Sequence, residues 1–162
     1  MGEGKQKWFI DERARALAMI HLTRRDDLIV TNAEQGSGLE FIVSIARDEG
    51  EPSLCRFGVF LRGTKGPLTE ARLGTVLRPT MRSLLGMGEF PYPVCLFHFS
   101  MDDDKGHYTW VAEPAVTAEG PRLMMHQAAH CRKLDRIALD EIVGKVDRWY
   151  DAFFGQIAVE AS

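Results

Sequence analysis

The segment Val94-Cys-Leu-Phe-His-Phe99 decides the fold class of this chain. Its apolar residues form a nearly continuous run, and they include the β-branched and aromatic side chains that favour strands. A strand of that composition is typical of a central position in a sheet whose two faces are both covered. The segment therefore predicts a strand in the middle of a sheet, flanked on at least one face by the terminal helices.

One amphipathic helix is predicted before this strand in the sequence, and a second is predicted after it. In residues 10–25, Ile10, Ala14 and Leu17 recur at near-helical spacing, and His21 continues the stripe. Residues 134–157 show the same periodicity, with Val146 and Trp149 on the apolar side. The chain therefore begins and ends its folded region with a helix.

The remaining segments supply the rest of one sheet. Strand-like composition occurs at residues 28–31, 41–46, 56–63 and 107–111, and turn-forming residues occupy 48–52, 63–67 and 102–106. A short helix is predicted from Thr80 to Leu85 after Pro79, and residues 113–122 are expected to be irregular. We expect one domain over residues 1–162 with an α/β fold (α+β is the alternative). It should contain a single mixed sheet of four to six strands on which the terminal helices pack.

The net charge, the length of the apolar runs and the cysteine count argue against several classes of protein. A net charge of -3 argues against a chain that coats nucleic acid indiscriminately, but it allows a local basic face. The apolar runs are too short to span a bilayer, and the polar first residues are unlike a secretory signal. The cysteines Cys55, Cys95 and Cys131 are odd in number and widely spaced, which favours reduced thiols and a cytoplasmic location.

No complete catalytic motif is present. Ser37, between two glycines, is interpreted as a turn residue rather than a nucleophile. His126 and His130 would share one face of a helix, but the general-base glutamate of zinc enzymes and a third ligand are missing, so the metal prediction is left as unknown. Three consecutive carboxylates at 102–104 are interpreted as a solvated turn, and His98 as a core or cleft histidine.

Basic residues are concentrated in two segments. The first contains five cations with a single acid, Glu70: Arg62, Lys65, Arg72, Arg78 and Arg82. The second contains Arg122, Arg132, Lys133 and Arg136, with Asp135 as its only acid. If the two segments share a face, they form a surface that attracts phosphates, and the first segment supplies the candidate nucleic-acid-binding residues.

The order of features over residues 11–154 resembles the PD-(D/E)xK nuclease superfamily. A helix with an early acid precedes a turn ending in Gly38-Leu39-Glu40, an outgoing strand, and then Arg56-Phe-Gly-Val-Phe-Leu-Arg-Gly-Thr64. Pro93-Val94 and Tyr108-Thr-Trp110 are similar to a later strand pair in a large family of uncharacterised bacterial domains. That family has a restriction-endonuclease-like fold, and the resemblance implies the same fold and a bacterial origin for this chain.

The resemblance also implies a degenerate catalytic site. In the superfamily, an acid at a strand entrance and an oxygen ligand on the next strand hold Mg²⁺, and a lysine two residues further on orients the attacking water. Glu40 falls at the acid, Phe60 at the second ligand and Arg62 at the lysine, while Glu12 falls near an accessory acid on the first helix. Phe60 offers no ligand atom, and Arg62 does not readily release a proton.

Three classes of function follow from these patterns. The first is a non-catalytic nuclease-fold module that binds nucleic acid or a protein partner, with no cofactor. The second is a divergent Mg²⁺-dependent nuclease in which Glu12 or Glu34 replaces the lost ligand beside Glu40. The third is a protein-interaction domain that forms a homodimer through its aromatic C-terminal helix. The missing ligand favours the first class, in which the chain is not an enzyme.

Overall fold

A computed structural model describes residues 2–47, 53–66 and 68–161 of the chain. The helices are α1 (Gly2–Leu22), α2 (Glu70–Leu85) and α3 (Arg136–Ala161). The strands are β1 (Leu28–Asn32), β2 (Phe41–Ile45), β3 (Arg56–Thr64), β4 (Val94–Ser100), β5 (Gly106–Thr117), β6 (Gly120–Met125) and β7 (Arg132–Lys133). Five strands, β1 to β5, and both terminal helices thus lie where the sequence predicts them, with shifted ends. The predicted hairpin loop at 48–52 lies outside the described residues.

The strands form one mixed sheet in the order β1-β2-β3-β4-β5-β6. The short strand β7 pairs with His107 and Tyr108 at the start of β5, while β6 pairs with the end of β5. Among the described strands, β3 and β4 make the one parallel pair, with Gly58 opposite Val94 and Thr64 opposite Ser100. A parallel pair requires a crossover connection, and α2 provides it. The predicted α/β class with a single mixed sheet is therefore confirmed, and the described residues form seven strands rather than the four to six predicted.

Strand β4 lies at the centre of the sheet, as its composition predicts. All seven of its residues are buried. Val94 and Leu96 face α2, while Cys95, Phe97 and Phe99 face α1 and α3. Because β4 is covered on both faces, its sequence shows no alternation of polar and apolar residues.

The core is divided between the two faces of the sheet. Helices α1 and α3 cover one face, where Ala14, Ala18 and Leu22 of α1 are fully buried. Helix α2 covers the other face with Leu73, Leu77, Met81 and Leu84. In the described part of the chain no helix is long and apolar enough to cross a membrane.

The prediction of a short helix from Thr80 was wrong, because α2 begins ten residues earlier. Thr69 caps the helix: its Oγ1 accepts a hydrogen bond from the Arg72 N–H at 3.2 Å. Pro79 lies inside the helix on its exposed side. A proline there removes one backbone hydrogen bond, but the buried stripe that precedes and follows it holds the helix against the sheet.

The prediction of an irregular segment at 113–122 was also wrong. Strand β5 continues to Thr117, and a tight turn leads into β6, which pairs with it from Gly120 to Met125. Pro114 and Pro121 obscured these strands in the sequence, since prolines usually mark strand edges or interruptions. The segment containing His126 and His130 is not helical, so the two rings meet edge to face across a loop, with centroids 6.3 Å apart.

Trp149 anchors α3 to the sheet. The ring is 7% exposed, and its Nε1–H donates to the backbone carbonyl of Arg122 at 3.0 Å. It also packs edge to face against Tyr150, whose hydroxyl donates to the carbonyl of Arg56. These contacts connect α3 to both β6 and β3.

Trp149→Ala should therefore lower the free energy of unfolding by about 3–5 kcal/mol, as expected for a large side chain removed from a core. Chemical denaturation measures this loss. Trp8→Ala is the matched control, because Trp8 is 67% exposed and its removal should change the stability by less than about 0.5 kcal/mol. A loss below about 1 kcal/mol in Trp149→Ala would contradict the packing described for α3.

Candidate functional site

A groove of about 760 Å³ lies between α1 and the ends of β2 and β3. We call it the α1–β3 groove. Its lining includes the sequence-predicted residues Glu12, Glu40, Arg62 and Lys65. The structure therefore brings together residues from three separate parts of the chain: Glu12, Glu40, and the pair Arg62 and Lys65. Phe60 and Glu34 do not line the groove.

The groove is set by a close approach of α1 to β3. A Cβ built on Gly63 would lie 2.6 Å from Ile10 Cγ2 and 3.5 Å from the Ala14 Cβ, so a larger side chain there would push the helix away. Glu40 is fixed at the entrance of β2 because its N–H donates to the carbonyl of Val59 at 2.8 Å. The close packing of α1 on Gly63 and the backbone hydrogen bond of Glu40 thus fix the two walls of the groove.

The carboxylate of Glu40 is already paired with a cation. Arg15 of α1 donates to Glu40 Oε1 and to Asn32 Oδ1, and its guanidinium lies 4.8 Å from the centroid of the Phe41 ring. Sequence reasoning missed Arg15. Its position could have indicated this role, because Arg15 directly follows Ala14 and therefore lies at the edge of the apolar stripe by which α1 packs on the sheet. The ion pair neutralises the residue that the nuclease resemblance assigns to a metal.

Phe60 and Arg62 do not restore a metal site. Phe60 is 1% exposed and faces α2, where its ring meets Phe90 edge to face at 6.0 Å. Arg62 is exposed, and its guanidinium donates to the Leu61 carbonyl at 2.9 Å. Within residues 2–47, 53–66 and 68–161, no group of three His, Cys, Asp or Glu side chains is arranged to hold a metal ion.

The first basic segment forms an exposed surface. We call Arg62, Lys65, Arg72, Arg78 and Arg82 the α2 basic surface; all five side chains are exposed. Arg78 and Arg82 are four residues apart in α2 and therefore lie on the same side of the helix. Glu70, in the first turn, is the one acid that α2 contains. The segment thus presents several cations and little opposing charge.

The second basic segment does not extend this surface as a unit. Lys133 pairs in register with His107, and Arg132 lies on the opposite side of β7, where it lines a cavity against α3. Arg122 is in an ion pair with Glu119. Arg136 begins α3, which covers the face of the sheet opposite α2. The hypothesis that both basic segments share one face is therefore wrong for Arg122, Arg132 and Arg136.

Two other sequence candidates have structural roles. Ser37 donates to the carbonyl of Glu34 at 2.8 Å within a turn. Asp104 accepts two hydrogen bonds from Arg13, at 2.9 and 2.8 Å, and has a positive φ of 57°, so the acidic turn ties β4 and β5 to α1. These contacts account for the two positions without a catalytic role.

His98 is a core histidine on the α2 face. It is 2% exposed, and its Nε2 lies 3.1 Å from Thr64 Oγ1 on the parallel strand. Burial, with a smaller contribution from the nearby His107, lowers the pKa of His98 from 6.5 to about 4. Its Nδ1 has no hydrogen-bond partner among the described residues. The ring is therefore neutral near pH 7.

Comparison of the chain with protein-family models, with curated proteins and with solved structures found no match. The nuclease resemblance therefore stays a prediction that rests on the residues quoted for it.

The buried His98 should make stability depend on pH. Its folded pKa is below its unfolded value, so the unfolded chain binds more protons between about pH 4 and 6.5, and stability falls as the pH is lowered through this window. The full contribution is roughly 3 kcal/mol. Denaturation at pH 7.5 and 4.5 should show this loss for the wild type, and His98→Gln should show a smaller one.

The pH dependence of stability that remains in His98→Gln comes from other groups. These include His21 and His107, whose pKa values are also lowered by burial. His130→Gln is the control, because its ring is exposed. Equal pH dependence in His98→Gln and the wild type would show that His98 is not held neutral by the fold.

Proposed function

We propose that the chain is a non-catalytic, nuclease-fold module that binds nucleic acid through the α2 basic surface. The observation that carries the proposal is the position of this surface beside a groove whose Glu40 carboxylate is already paired with Arg15. Arg62 and Lys65 lie at the junction of the two, because they line the groove and precede α2 in the chain. The groove then serves binding rather than bond cleavage.

Electrostatics support phosphate as the ligand of this surface. Lysine and arginine side chains that contact phosphates release condensed counterions, which supplies affinity that does not depend on sequence. The net charge of -3 means that this attraction is local to one face. A local basic face favours weak or moderate binding over indiscriminate coating of nucleic acid.

Ligand chemistry supports the absence of catalysis. Mg²⁺ requires close to six oxygen ligands, and the groove offers Glu40, which is paired, with the exposed Asp11 and Glu12 on α1. Phe60, on the neighbouring strand, faces the core instead of the groove. A metal held so weakly would neither position a phosphate nor activate a water molecule.

Binding to single- and double-stranded oligonucleotides should weaken steeply with salt. Arg78→Gln combined with Arg82→Gln should lower the affinity and reduce the slope of log K against log salt concentration by about 2, one unit for each lost phosphate contact. Fluorescence anisotropy at several salt concentrations measures both quantities.

Arg24→Gln is the charge-matched control for this experiment, since Arg24 is exposed at the end of α1, away from α2. It should leave the slope unchanged within error. An affinity that is independent of salt, or an equal loss in the control and in the double variant, would contradict binding through the α2 basic surface.

No cleavage of plasmid, single-stranded DNA or RNA is expected with Mg²⁺ or Mn²⁺. The reason is the missing second oxygen ligand beside Glu40. The assay is run in parallel with Glu40→Ala, which removes the one groove carboxylate at the β2 entrance and so identifies a contaminating nuclease. Metal-dependent cutting that Glu40→Ala abolishes would support the divergent nuclease and overturn the non-catalytic proposal.

The exposed end of α3 supports a second candidate, a homodimer. Phe153 and Phe154 are 40% and 36% exposed, and Ile157 and Val159 are 48% and 75% exposed. Such a cluster of exposed apolar side chains is a feature of protein-interaction surfaces. Light scattering distinguishes this candidate: a dimer that Phe154→Asp converts to a monomer would support it, and a monomeric wild type would exclude it.

A further inference from the structure

A cavity of about 700 Å³ lies between α3, β5 and the segment 126–132. We call it the α3 cavity. The outer edge of β5 is paired at two separate places, with β6 along 112–117 and with β7 at 107–108. Between them the chain leaves the sheet and is attached by two hydrogen bonds, from His126 N to the Val111 carbonyl and from His130 N to Thr109 Oγ1, each 3.0 Å long. The cavity opens at this interruption.

A β-bulge directs two side chains of β5 into the cavity. The register with β4 shifts by one residue, so that Ala112 is opposite Val94 while Trp110 is opposite Cys95. Trp110 and Glu113 are three residues apart, and both line the cavity. Without the extra residue, positions three apart on a strand would face opposite sides of the sheet.

Glu113 is neutralised within the cavity. Its Oε1 lies 2.7 Å from His126 Nε2, and its Oε2 accepts a hydrogen bond from Lys145 of α3. Burial raises the pKa of Glu113, but the hydrogen bonds from Lys145 and His126 outweigh it, so the pKa is lowered. The carboxylate is therefore ionised and its charge is matched by its neighbours.

The remaining charges of the lining are mainly positive. Asp140 is paired with Arg25 outside the cavity, which leaves Glu141 as the acid without a salt bridge. Arg132 and Arg148 are exposed cations of the lining, and in the described part of the chain neither is in a salt bridge with a carboxylate. Apolar walls come from Trp110 and Ile137.

Gly144 keeps one wall of the cavity open. It lies in the middle of α3, where glycine disfavours the helix relative to alanine. A Cβ there would meet a single side-chain atom within 4 Å, a guanidinium nitrogen of Arg148 at 3.4 Å. Packing against the rest of the protein therefore does not require glycine, and its effect is to leave space beneath the guanidinium of Arg148.

We propose that the α3 cavity binds a small molecule that carries an oxyanion, a carboxylate or phosphate monoester, on an apolar or aromatic body. Arg132 and Arg148 hold the oxyanion, with the Lys145 ammonium beside them, and the body of the ligand occupies the space next to Trp110 and Gly144. The volume is within the range of ordinary small-molecule pockets. This site is separate from the α2 basic surface, none of whose five residues lines the cavity.

The test uses phenyl phosphate, benzoate and the neutral benzyl alcohol as probes of the purified full chain. The three indole N–H signals of Trp8, Trp110 and Trp149 can be followed together in a ¹⁵N-labelled sample. We expect phenyl phosphate or benzoate to shift the Trp110 signal saturably, while benzyl alcohol does not. The probe that binds more tightly identifies the oxyanion. No saturable shift of Trp110 with either anion up to roughly 10 mM would overturn the proposal.

Single substitutions in the cavity lining test whether the anion binds in the α3 cavity. Arg148→Gln and Arg132→Gln should each weaken the anion about tenfold or more, since each removes a charge-assisted contact. Gly144→Leu should abolish binding by filling the space, whereas Gly144→Ala should retain it within about threefold, because its Cβ stays at ordinary contact distance. Arg136→Gln is the control on the same helix outside the cavity lining. Equal weakening in Arg136→Gln, or full binding in Gly144→Leu, would show that the anion binds elsewhere.

Discussion

The parallel pairing of β3 with β4 is the constraint on which the rest of the fold depends. Two parallel strands cannot be joined by a turn, so the chain has to cross the sheet, and α2 makes that crossing. The crossing covers one face of β4, while α1 and α3 cover the other. The other described strand pairs are antiparallel and therefore need no crossover connection. The crossing also places the exposed arginines of α2 on the face of the sheet opposite α1 and α3, whereas Arg62 and Lys65 line the α1–β3 groove.

Much of this arrangement could be predicted from the sequence, and the failures have physical causes. Residues 94–99 were recognised because burial on both faces leaves an unbroken apolar run, and the terminal helices because each has a long periodic stripe. The N-terminal part of α2 was missed because Gly74 and Pro79 interrupt a stripe that tertiary packing nevertheless stabilises. The β5–β6 hairpin was missed because Pro114 and Pro121 lie within it, and prolines usually mark the edge or interruption of a strand. In both cases packing against the sheet outweighed local propensity.

The candidate sites were predicted less completely, because their partners come from distant parts of the chain. Glu12, Glu40 and Arg62 do meet in one groove, but the residue that determines the state of Glu40 is Arg15, whose reach from α1 depends on the close packing of that helix on Gly63. Similarly, the histidines at 126 and 130 do come together, but across a loop, and the partner of His126 is Glu113 on β5. Spacing along a sequence identifies residues that share a helix or strand, and it carries no information about such long-range pairs.

The packing of Phe60 connects the stability of the fold to the proposed loss of catalysis. A metal ligand at this position would have to place an oxygen beside the apolar cluster of Leu73, Met81 and Leu96, where an unpartnered polar atom is costly. Phe60 instead contributes a fully buried ring that contacts Phe90. The Arg15–Glu40 pair is the corresponding feature of the groove, because the guanidinium of Arg15 pairs with the carboxylate to which the nuclease resemblance assigns a metal. Active sites commonly retain groups that reduce stability, and a chain released from that requirement can replace them with packed or paired residues. The packed Phe60 ring and the Arg15–Glu40 pair therefore support the proposed binding module over the alternative of a metal-dependent enzyme.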